Sequence, residues 1–491
     1  MMAAICVDAG TTVIKAVGYD GDGAESAVAR RPTTVSRPAP GHAEQDMTAV
    51  WDAVAAAVRE VAAALREPVG FVAVTAQGDG CWLVDSSGEP TGPAILWNDG
   101  RAAGIVDGWT RSGLAGRAFR VNGSSAASGL PHAILTWLYE HDPDRLARSA
   151  ANLTCGGWIF ARMTGEFAAD ESDASAPFMD LRARRYAPEL LELFGLEWAG
   201  RLLPEIRDDT RRTAGLSRRA AGQLGLPEGT PVVLAPYDIV TTALGAGVVR
   251  PGQACGILGT TLCVETLVER PDLDGDPVGI TIAAPGGYLR AFPTFAGTEV
   301  IQWACRLLGL DNPADLGELA ALSEPGAHGL AFLPYLSPAG ERAPFSDPLA
   351  RGAFLGMSVE HGREHVARAV LEGLTLVVQD CLAATGAAPS ELRVCGGGSS
   401  SALWLRLIAA VTGLPVRRPA DAEVGARGAY LTGLAATGAT SIQDAAVRHV
   451  RLGAPADPEP GPYETAYEHF LTLRDHTSHT WPLLAHLRSR P

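Results

Sequence analysis

The stretch Ala4-Ile-Cys-Val-Asp-Ala-Gly-Thr-Thr-Val-Ile-Lys-Ala-Val-Gly-Tyr-Asp20 predicts a strand, a tight turn and a second strand that folds back on the first. The turn Gly10-Thr11-Thr12 carries no bulky side chain, so backbone N–H groups can approach an anion closely. Asp8 ends the first strand, where a carboxylate can hold a hydrated Mg²⁺ that bridges phosphate oxygens. Lys15 can add a positive charge. Taken alone, an ordinary hairpin is the simpler interpretation of this stretch.

The same pattern occurs again in the second half of the 491-residue chain. Ala254-Cys-Gly-Ile-Leu-Gly-Thr-Thr-Leu-Cys-Val-Glu265 places Gly259-Thr260-Thr261 between two apolar strands. Two similar turns in two halves predict a duplicated domain that holds a phosphate chain between its copies.

The composition is that of a globular protein with more than one domain. Hydrophobic residues make up 47 % and charged residues 19 % of the chain, which excludes a disordered protein. The net charge of −15 argues against a nucleic-acid partner, whose binding needs clustered lysine and arginine. The sequence has no apolar run of membrane-spanning length, no leader before the first predicted strand, and no C-x-x-C pair among its eight cysteines. We therefore expect a cytoplasmic protein with reduced thiols and no membrane partner.

Two polar loops follow apolar strands in the first half, where open α/β sheets bind their ligands. Carboxylates that accept from hydroxyls, together with an indole ring that covers a C–H face, suit a polyhydroxylated molecule. The residues concerned are Asp79, Trp97, Asn98, Asp99 and Arg101. A polar loop with solvated charges explains the same pattern.

The strand Pro231-Val-Val-Leu-Ala-Pro-Tyr-Asp238 delivers a carboxylate to its end, before a small-residue helix predicted at 239–246. Asp238 alone is most simply a helix N-cap. The segment 248–252 carries a turn signal directly before the second Gly-Thr-Thr strand. We place a domain boundary there, which gives the domains 1–248 and 249–491.

Two further motifs lie near the end of the chain. Leu392-Arg-Val-Cys-Gly-Gly-Gly-Ser-Ser-Ser401 predicts a strand, a glycine-rich turn and a helix at 402–412, where a flat base or a phosphate can lie against the backbone. A lone turn of this kind is a weak sign of nucleotide binding. His361-Gly-Arg-Glu-His365 fits an inverted zincin pattern, but Gly362 is a poor residue inside a protease helix. The charged first turn of a helix at 366–377 is the simpler interpretation.

Together these motifs resemble the FGGY carbohydrate kinases, a branch of the actin, hexokinase and Hsp70 superfamily. Phe332-Leu-Pro-Tyr-Leu-Ser-Pro-Ala-Gly-Glu-Arg-Ala-Pro-Phe345 is similar to the family's Leu-Pro-Tyr…Gly-Glu-Arg-x-Pro signature, and Glu423-Val-Gly-Ala-Arg-Gly-Ala429 to its helix start behind the adenine pocket. The resemblance implies an α/β fold of two similar actin/hexokinase/Hsp70-type (ribonuclease H-like) domains with a catalytic cleft between them.

The resemblance also implies ATP and Mg²⁺ as cofactors and a role for each site residue. Asp238 is the expected catalytic base, and Asp8 and Asp238 are the expected metal ligands. The expected substrate pocket consists of Gln77, Asp79, Trp97, Asp99, Arg101 and Asp238. The expected ATP site consists of Gly10, Thr11, Thr12, Lys15, Gly259, Thr260, Thr261, Gly397, Gly398 and Ser401.

Departures from the family pattern bear on the substrate. The loop Gln77-Gly78-Asp79-Gly80 differs from the Gln-Met-His-Gly of D-xylulose kinases and the Gln-Arg-Glu of glycerol kinases, and looks more like the erythritol kinase branch. Gly156-Gly157 replaces the usual Lys-Asp pair. We interpret Glu341 and Arg342 as bracing the cleft.

The resemblance favours an ATP-dependent kinase of a small sugar or polyol, with erythritol-like tetritols and C5 ketoses such as xylulose as the nearest candidates. The alternatives are a non-catalytic regulator that responds to nucleotide and sugar, an Hsp70-like ATPase, and a metalloprotease. Asp8, Asp238 and both threonine pairs are intact, which disfavours the regulator. A homodimer stays open, since the sequence does not give the number of subunits.

Overall fold

The computed structural model describes residues 2–459, 461 and 463–488. The strands of the first half are β1 (Ala3–Ala9), β2 (Val13–Tyr19), β3 (Glu25–Pro32), β4 (Glu44–Gln45), β5 (Val69–Ala76), β6 (Trp82–Val84), β7 (Ala94–Ile95), β8 (Ala151–Leu153), β9 (Ala168–Asp170), β10 (Met179–Asp180), β11 (Arg185–Tyr186), β12 (Glu205–Arg207), β13 (Thr213–Gly215) and β14 (Pro231–Leu234). Its helices are α1 (Met47–Ala64), α2 (Ala103–Arg111), α3 (Leu114–Asn122), α4 (Pro131–His141), α5 (Pro143–Arg148), α6 (Cys155–Thr164), α7 (Glu171–Ser175), α8 (Pro188–Phe194), α9 (Arg218–Leu224) and α10 (Asp238–Gly245).

The strands of the second half are β15 (Ala254–Leu258), β16 (Leu262–Val268), β17 (Ile280–Ala284), β18 (Gly287–Pro293), β19 (Ala331–Leu333), β20 (Ala353–Leu355), β21 (Leu392–Cys395) and β22 (Val416–Arg417). Its helices are α11 (Thr298–Leu308), α12 (Pro313–Ala320), α13 (Arg363–Ala384), α14 (Ala402–Thr412), α15 (Val424–Ala436), α16 (Ile442–His449), α17 (Ala466–Ser478) and α18 (Trp481–Arg488). Short 3₁₀ turns span Glu197–Leu202, Ala327–Gly329 and Gly397–Ser400.

Each half is built on a six-stranded mixed sheet. The first sheet has the order β13-β14-β5-β1-β2-β3, in which β1 pairs antiparallel with β2 and parallel with β5. The second has the order β17-β18-β16-β15-β21-β22, in which β15 pairs antiparallel with β16 and parallel with β21. The two Gly-Thr-Thr turns therefore connect equivalent hairpins, and the predicted two-domain α/β fold is confirmed.

The helices α10 and α15 pack against each other at the junction of the halves. They share an apolar core with residues of both sheets, including Val240, Leu244, Ala429 and Leu431. Close approach requires glycine at the crossing: a Cβ on Gly428 would lie 1.8 Å from the Thr241 carbonyl oxygen. This contact brings the start of each helix towards the other half.

The helix predicted at 366–377 is longer in the structure, where α13 spans Arg363–Ala384. The helix α1 begins at Met47, because the side chain of Asp46 caps it by accepting from the Ala49 N–H at 3.1 Å. The C-terminal tail forms two helices, α17 and α18. Tyr463 precedes them, and Pro460, Pro462 and residues 489–491 lie outside the described residues.

All eight cysteines are buried and free of disulfides. In the described ranges, none of the helices has the length and apolarity needed to span a bilayer.

Candidate active site

Asp8 lies at the end of β1, opposite Lys15 in the β1–β2 register. The Lys15 Nζ is 3.7 Å from Asp8 Oδ2 and 2.9 Å from Glu423 Oε2, which the second half presents directly before α15. Burial raises the pKa of Asp8, an effect that Lys15 partly offsets. A Cβ on Gly425 would lie 3.1 Å from Asp8 Oδ2, so the start of α15 reaches this carboxylate.

Asp238 is the first residue of α10 and is half-buried. Burial raises its pKa well above the ordinary value, and the nearby Asp8 carboxylate raises it further. The predicted N-cap is instead Tyr237, whose side chain makes no capping bond. The structure thus brings the two predicted metal ligands close enough for the charge of Asp8 to raise the pKa of Asp238.

Two carboxylates at this place fit Mg²⁺, which takes hard oxygen ligands and usually keeps several waters. Among the residues described, no group of three or more His, Cys, Asp or Glu side chains is placed to hold a metal ion. Asp8 and Asp238 therefore suit an ion that shares its coordination with water and phosphate oxygens.

Thr11 links the first turn to the predicted sugar loop. Its hydroxyl donates to Gln77 Oε1 at 2.7 Å and accepts from the Trp97 indole N–H at 3.0 Å. The Gln45 side chain donates to the Thr11 carbonyl oxygen and accepts from Gln77, at 2.7 and 2.8 Å. The side chains of Gln77 and Trp97 are therefore hydrogen-bonded to Thr11 in the first Gly-Thr-Thr turn. The side chain of Thr12, in the same turn, is exposed.

The second turn and the glycine-rich turn lie side by side on adjacent strands. Thr260 is exposed, and the Gly259 carbonyl oxygen accepts from the first residue of α11 at 2.9 Å. Gly397 is exposed, and a Cβ there would meet nothing within 4 Å. Gly398 packs against the Trp404 ring, and Ser401 caps α14 by accepting from the Trp404 N–H. Open backbone at Gly397 is compatible with a flat ligand.

Asp79 stands on the sugar loop with a left-handed backbone, φ 54°. The Tyr237 hydroxyl donates to its Oδ2 at 3.4 Å. Burial raises the pKa of Asp79 to about 6, although Tyr237 and Arg342 act in the opposite direction. A Cβ on Gly78 would lie 2.2 Å from the Tyr237 ring, so this loop fits the turn before Asp238 closely.

Asp99 and Arg101 make their contacts inside the fold. Asp99 is fully buried and accepts from the Ala43 N–H at 2.6 Å and from Arg101 Nε at 2.8 Å. Arg101 also bonds Glu44 at 2.6 Å and lies over the Trp137 ring. These contacts hold the segment that carries Trp97 in place and occupy the polar atoms that we predicted to contact substrate.

Sequence reasoning left out Asp173 and gave Arg342 only a bracing role. Burial raises the pKa of Asp173, on α7, well above its ordinary value, and nearby carboxylates that include Asp79 and Asp238 raise it further. Its signal was the acidic run beginning at Asp170, from which no role was drawn. Glu341 accepts from the Phe295 and Ala296 N–H groups at 2.7 and 3.3 Å, contacts that lie within the second half. Arg342 donates to the Pro293 carbonyl oxygen at 2.9 Å, lies over the Phe295 ring, and acts on Asp79 across the cleft.

The histidine pair of the zincin-like motif has structural contacts. His361 Nδ1 accepts from the Ser358 N–H and His365 Nδ1 from the Gly362 N–H, both at 2.9 Å. These bonds close the turns before α13, which begins at Arg363. The predicted charged first turn explains the motif, and the metalloprotease alternative has no support.

The fold and site define a carbohydrate kinase, and the chain belongs to the FGGY family of carbohydrate kinases. The family's N-terminal domain matches residues 3–245 and its C-terminal domain residues 254–437. An erythritol kinase of Brucella abortus (strain 2308) is 33% identical over 96% of this chain and 95% of that protein. The L-xylulose/3-keto-L-gulonate kinase of Escherichia coli (strain K12) is 29% identical over 88% of each chain. A xylulose kinase structure from Rhodospirillum rubrum has a TM-score of 0.89 and 28% identity, covering 98% of this chain and 99% of that one.

The protein is therefore a phosphotransferase that uses an alcohol group of a small carbohydrate as acceptor. The regulator alternative finds no support among these relatives, which are named as kinases. The actin/hexokinase-like fold agrees with the paired sheets described above.

Proposed function

We propose that this kinase transfers the γ-phosphoryl group of ATP to a hydroxyl of a C4 or C5 polyol or ketose, with an erythritol-like polyol as the first candidate. The observation that carries the proposal is the position of Asp238, at the start of α10 between Asp8 and the sugar loop that bears Asp79. The near full-length similarity to an erythritol kinase supports the C4 choice.

Asp238 is the proposed general base. It takes the proton of the attacking hydroxyl, a role commonly worth about 10² to 10⁴ in rate. The raised pKa of Asp238 favours the proton acceptance that this role needs. A Mg²⁺ ion held by Asp8 and Asp238 would offset negative charge on the transferring phosphoryl group. Asp79 accepts from a substrate hydroxyl and Trp97 covers a C–H face.

The two Gly-Thr-Thr turns form the proposed phosphate grip. Their backbone N–H groups and the exposed hydroxyls of Thr12 and Thr260 face ATP from opposite halves. The glycine-rich turn around Gly397 receives the adenosine. Alignment of the two reactants accounts for most of the acceleration in such transfers, because little covalent chemistry is asked of the protein.

We also propose that the domains meet at 248/249, in the turn that joins α10 to β15. The two family matches end at 245 and begin at 254, which agrees with this position. Cytoplasmic location and a homodimer stay proposals.

The experiment measures ADP release by the purified protein with Mg·ATP. The acceptors are glycerol, erythritol, the pentitols, D- and L-xylulose, ribulose and the six-carbon ketoses. We expect turnover on one C4 or C5 compound and a loss of about 10² to 10⁴ in kcat for Asp238→Asn. Asp52→Asn, an exposed carboxylate on α1, is the matched control and keeps full activity. Absence of ADP release above a sugar-free blank with every acceptor would refute the proposal.

A further inference from the structure

Tyr237 stands between the two carboxylates that bound the proposed acceptor site. It directly precedes Asp238 in the chain, and its hydroxyl donates to Asp79 Oδ2 at 3.4 Å. Tyr237 is half-buried, as are Asp79 and Asp238. One partly exposed side chain therefore spans the gap from the proposed general base to the carboxylate of the sugar loop.

The backbone of Tyr237 is held at both of its polar groups. Its N–H donates to the Ser172 hydroxyl oxygen at 2.9 Å, and its carbonyl oxygen accepts from the Thr241 N–H at 3.0 Å. Its side chain makes no capping bond to α10, although Tyr237 occupies the N-cap position. The backbone contacts therefore fix the point from which the ring starts, while the ring itself is left to line the site.

The ring of Tyr237 lies against the backbone of Gly78. A Cβ added to Gly78 would come within 2.2 Å of Cε2, 2.4 Å of Cζ and 2.5 Å of Cδ2 of the ring, far inside van der Waals contact. A larger residue at position 78 would displace the ring. Gly78 and Tyr237 therefore form one closely packed wall of the acceptor site.

The sugar loop is packed tightly directly after Asp79. Asp79 and Gly80 both have a left-handed backbone, with φ of 54° and 73°. The Gly80 N–H donates to the Gly129 carbonyl oxygen at 2.9 Å, and a Cβ on Gly80 would lie 2.5 Å from the Ile95 carbonyl oxygen. An acceptor that is too long for the site therefore has to break these backbone contacts to push the loop outward.

We propose that Tyr237 is a specificity-determining residue that sets the length of the acceptor: it admits a C4 polyol and excludes C5 and C6 sugars. The carbon chain of the acceptor lies along the ring, with the reacting hydroxyl at Asp238 and a second hydroxyl at Asp79. An extended C4 polyol is about as long as a tyrosine side chain, which matches the gap that Tyr237 spans. The inference rests on the proposed function and narrows its substrate class.

The size of the expected discrimination follows from the packing of this wall. One carbon unit too many or too few in a closely fitting site changes specificity about 10- to 200-fold. The ring of Tyr237 has little freedom to make room, because its backbone is hydrogen-bonded and Gly78 lies directly behind it. The extra carbon unit of a pentitol therefore meets a fixed surface.

The test compares linear polyols that differ by one carbon unit. Glycerol, erythritol and the pentitols are compared by kcat and KM for ADP release with Mg·ATP, and by calorimetric binding without ATP. We expect the wild type to favour erythritol over every pentitol at least 10-fold in kcat/KM. Tyr237→Ala raises the pentitol-to-erythritol ratio of kcat/KM at least 10-fold, whereas Tyr237→Phe, which keeps the ring, leaves the ratio close to that of the wild type.

A double-substitution cycle tests the contact between Gly78 and the ring. Gly78→Ala alone drives a methyl group into the Tyr237 ring and lowers kcat/KM for erythritol about 10-fold or more. In the Tyr237→Ala background the same substitution has little further effect, because the ring is gone. Equal effects of Gly78→Ala in both backgrounds would overturn the inference.

Two further variants separate specificity from folding. Tyr237→Leu shortens the side chain without emptying the site and repeats the test if Tyr237→Ala does not fold. Tyr139→Ala, which removes a tyrosine that is 58% exposed on α4, is the matched control and leaves the ratio unchanged. A wild type that uses a pentitol or a pentulose as well as erythritol, or a ratio that neither Tyr237→Ala nor Tyr237→Leu alters, overturns the inference while the kinase reaction stands. No turnover with any acceptor overturns the proposed function itself.

Discussion

The Lys15 ammonium lies 2.9 Å from the Glu423 carboxylate and so joins the first phosphate hairpin to the start of α15 in the other half of the chain. Glu423 also pairs with Arg30. The same lysine lies 3.7 Å from Asp8. Lys15 therefore contributes both to the contact between the halves and to the electrostatics of the predicted metal site.

Glu423→Gln is expected to weaken the junction of the halves. Burial raises the pKa of Glu423, but Lys15 and Arg30 lower it more, so that it lies below its ordinary value. A carboxyl group whose pKa is lowered by folding stabilises the fold at pH values above its pKa in the unfolded chain. That stability is lost as the pH falls through its pKa in the folded protein. We expect a loss of about 1 to 3 kcal/mol at pH 7 and a smaller one near pH 3, measured by chemical unfolding.

The control for this prediction is Glu60→Gln. Glu60 pairs with Arg31 within the first half and is 53% exposed. An exposed pair contributes about 0 to 1 kcal/mol, so this variant changes stability little. Equal losses in both variants would contradict a special role for Glu423.

Gly428→Ala is expected to force α10 and α15 apart. The new Cβ would lie 1.8 Å from the Thr241 carbonyl oxygen, a distance that requires backbone movement. Overpacking of this kind costs about 1 to 3 kcal/mol or more, and the shift misaligns Asp238, so that stability and kcat fall together. Thermal unfolding and ADP release measure the two effects. Gly108→Ala on α2 meets nothing within 4 Å and should be neutral or slightly stabilising.

Thr11→Val should impair sugar binding as well as ATP binding. The substitution leaves Trp97 Nε1 and Gln77 Oε1 without their partner, and each unmet group costs about 1 to 3 kcal/mol. We expect KM to rise about 10-fold for the sugar. Thr12→Val, at an exposed position, should raise KM for ATP alone. Steady-state kinetics with each substrate varied in turn measures the KM for ATP and the KM for the sugar. If both variants changed only the KM for ATP, the predicted effect of Thr11 on sugar binding would be wrong.

Asp79→Asn should stabilise the ligand-free protein, increasingly as the pH rises. The folded pKa of about 6 exceeds the ordinary value of 3.8. The folded state then keeps a proton that the unfolded state has lost, so wild-type stability falls between about pH 4 and pH 6. We expect the variant to gain about 1 to 3 kcal/mol at pH 8 and almost nothing at pH 4, measured by unfolding at both values. A gain that does not depend on pH would argue against ionisation of Asp79 as its cause.

The sequence predicted the fold better than it predicted the contacts of individual side chains. The strands, turns and glycine-rich loops can be predicted from short stretches of sequence. The alternation of apolar residues in a strand and the left-handed backbone of a glycine both depend on neighbouring residues. Asp99 and Arg101 had the right chemistry for a sugar, yet they bond Ala43, Glu44 and each other. No local pattern shows that a polar atom already has a partner elsewhere in the chain.

The sequence by itself determined two equivalent hairpins, the duplicated α/β fold and the carbohydrate kinase family, because each Gly-Thr-Thr turn and its strands depend on adjacent residues. The packing of α10 on α15 decided which side chains of the two halves lie close together: Glu423 with Lys15, and Arg342 with Asp79. Electrostatic contacts of this kind depend on distances in space, and residues far apart in the chain acquire those distances only when the two halves pack together.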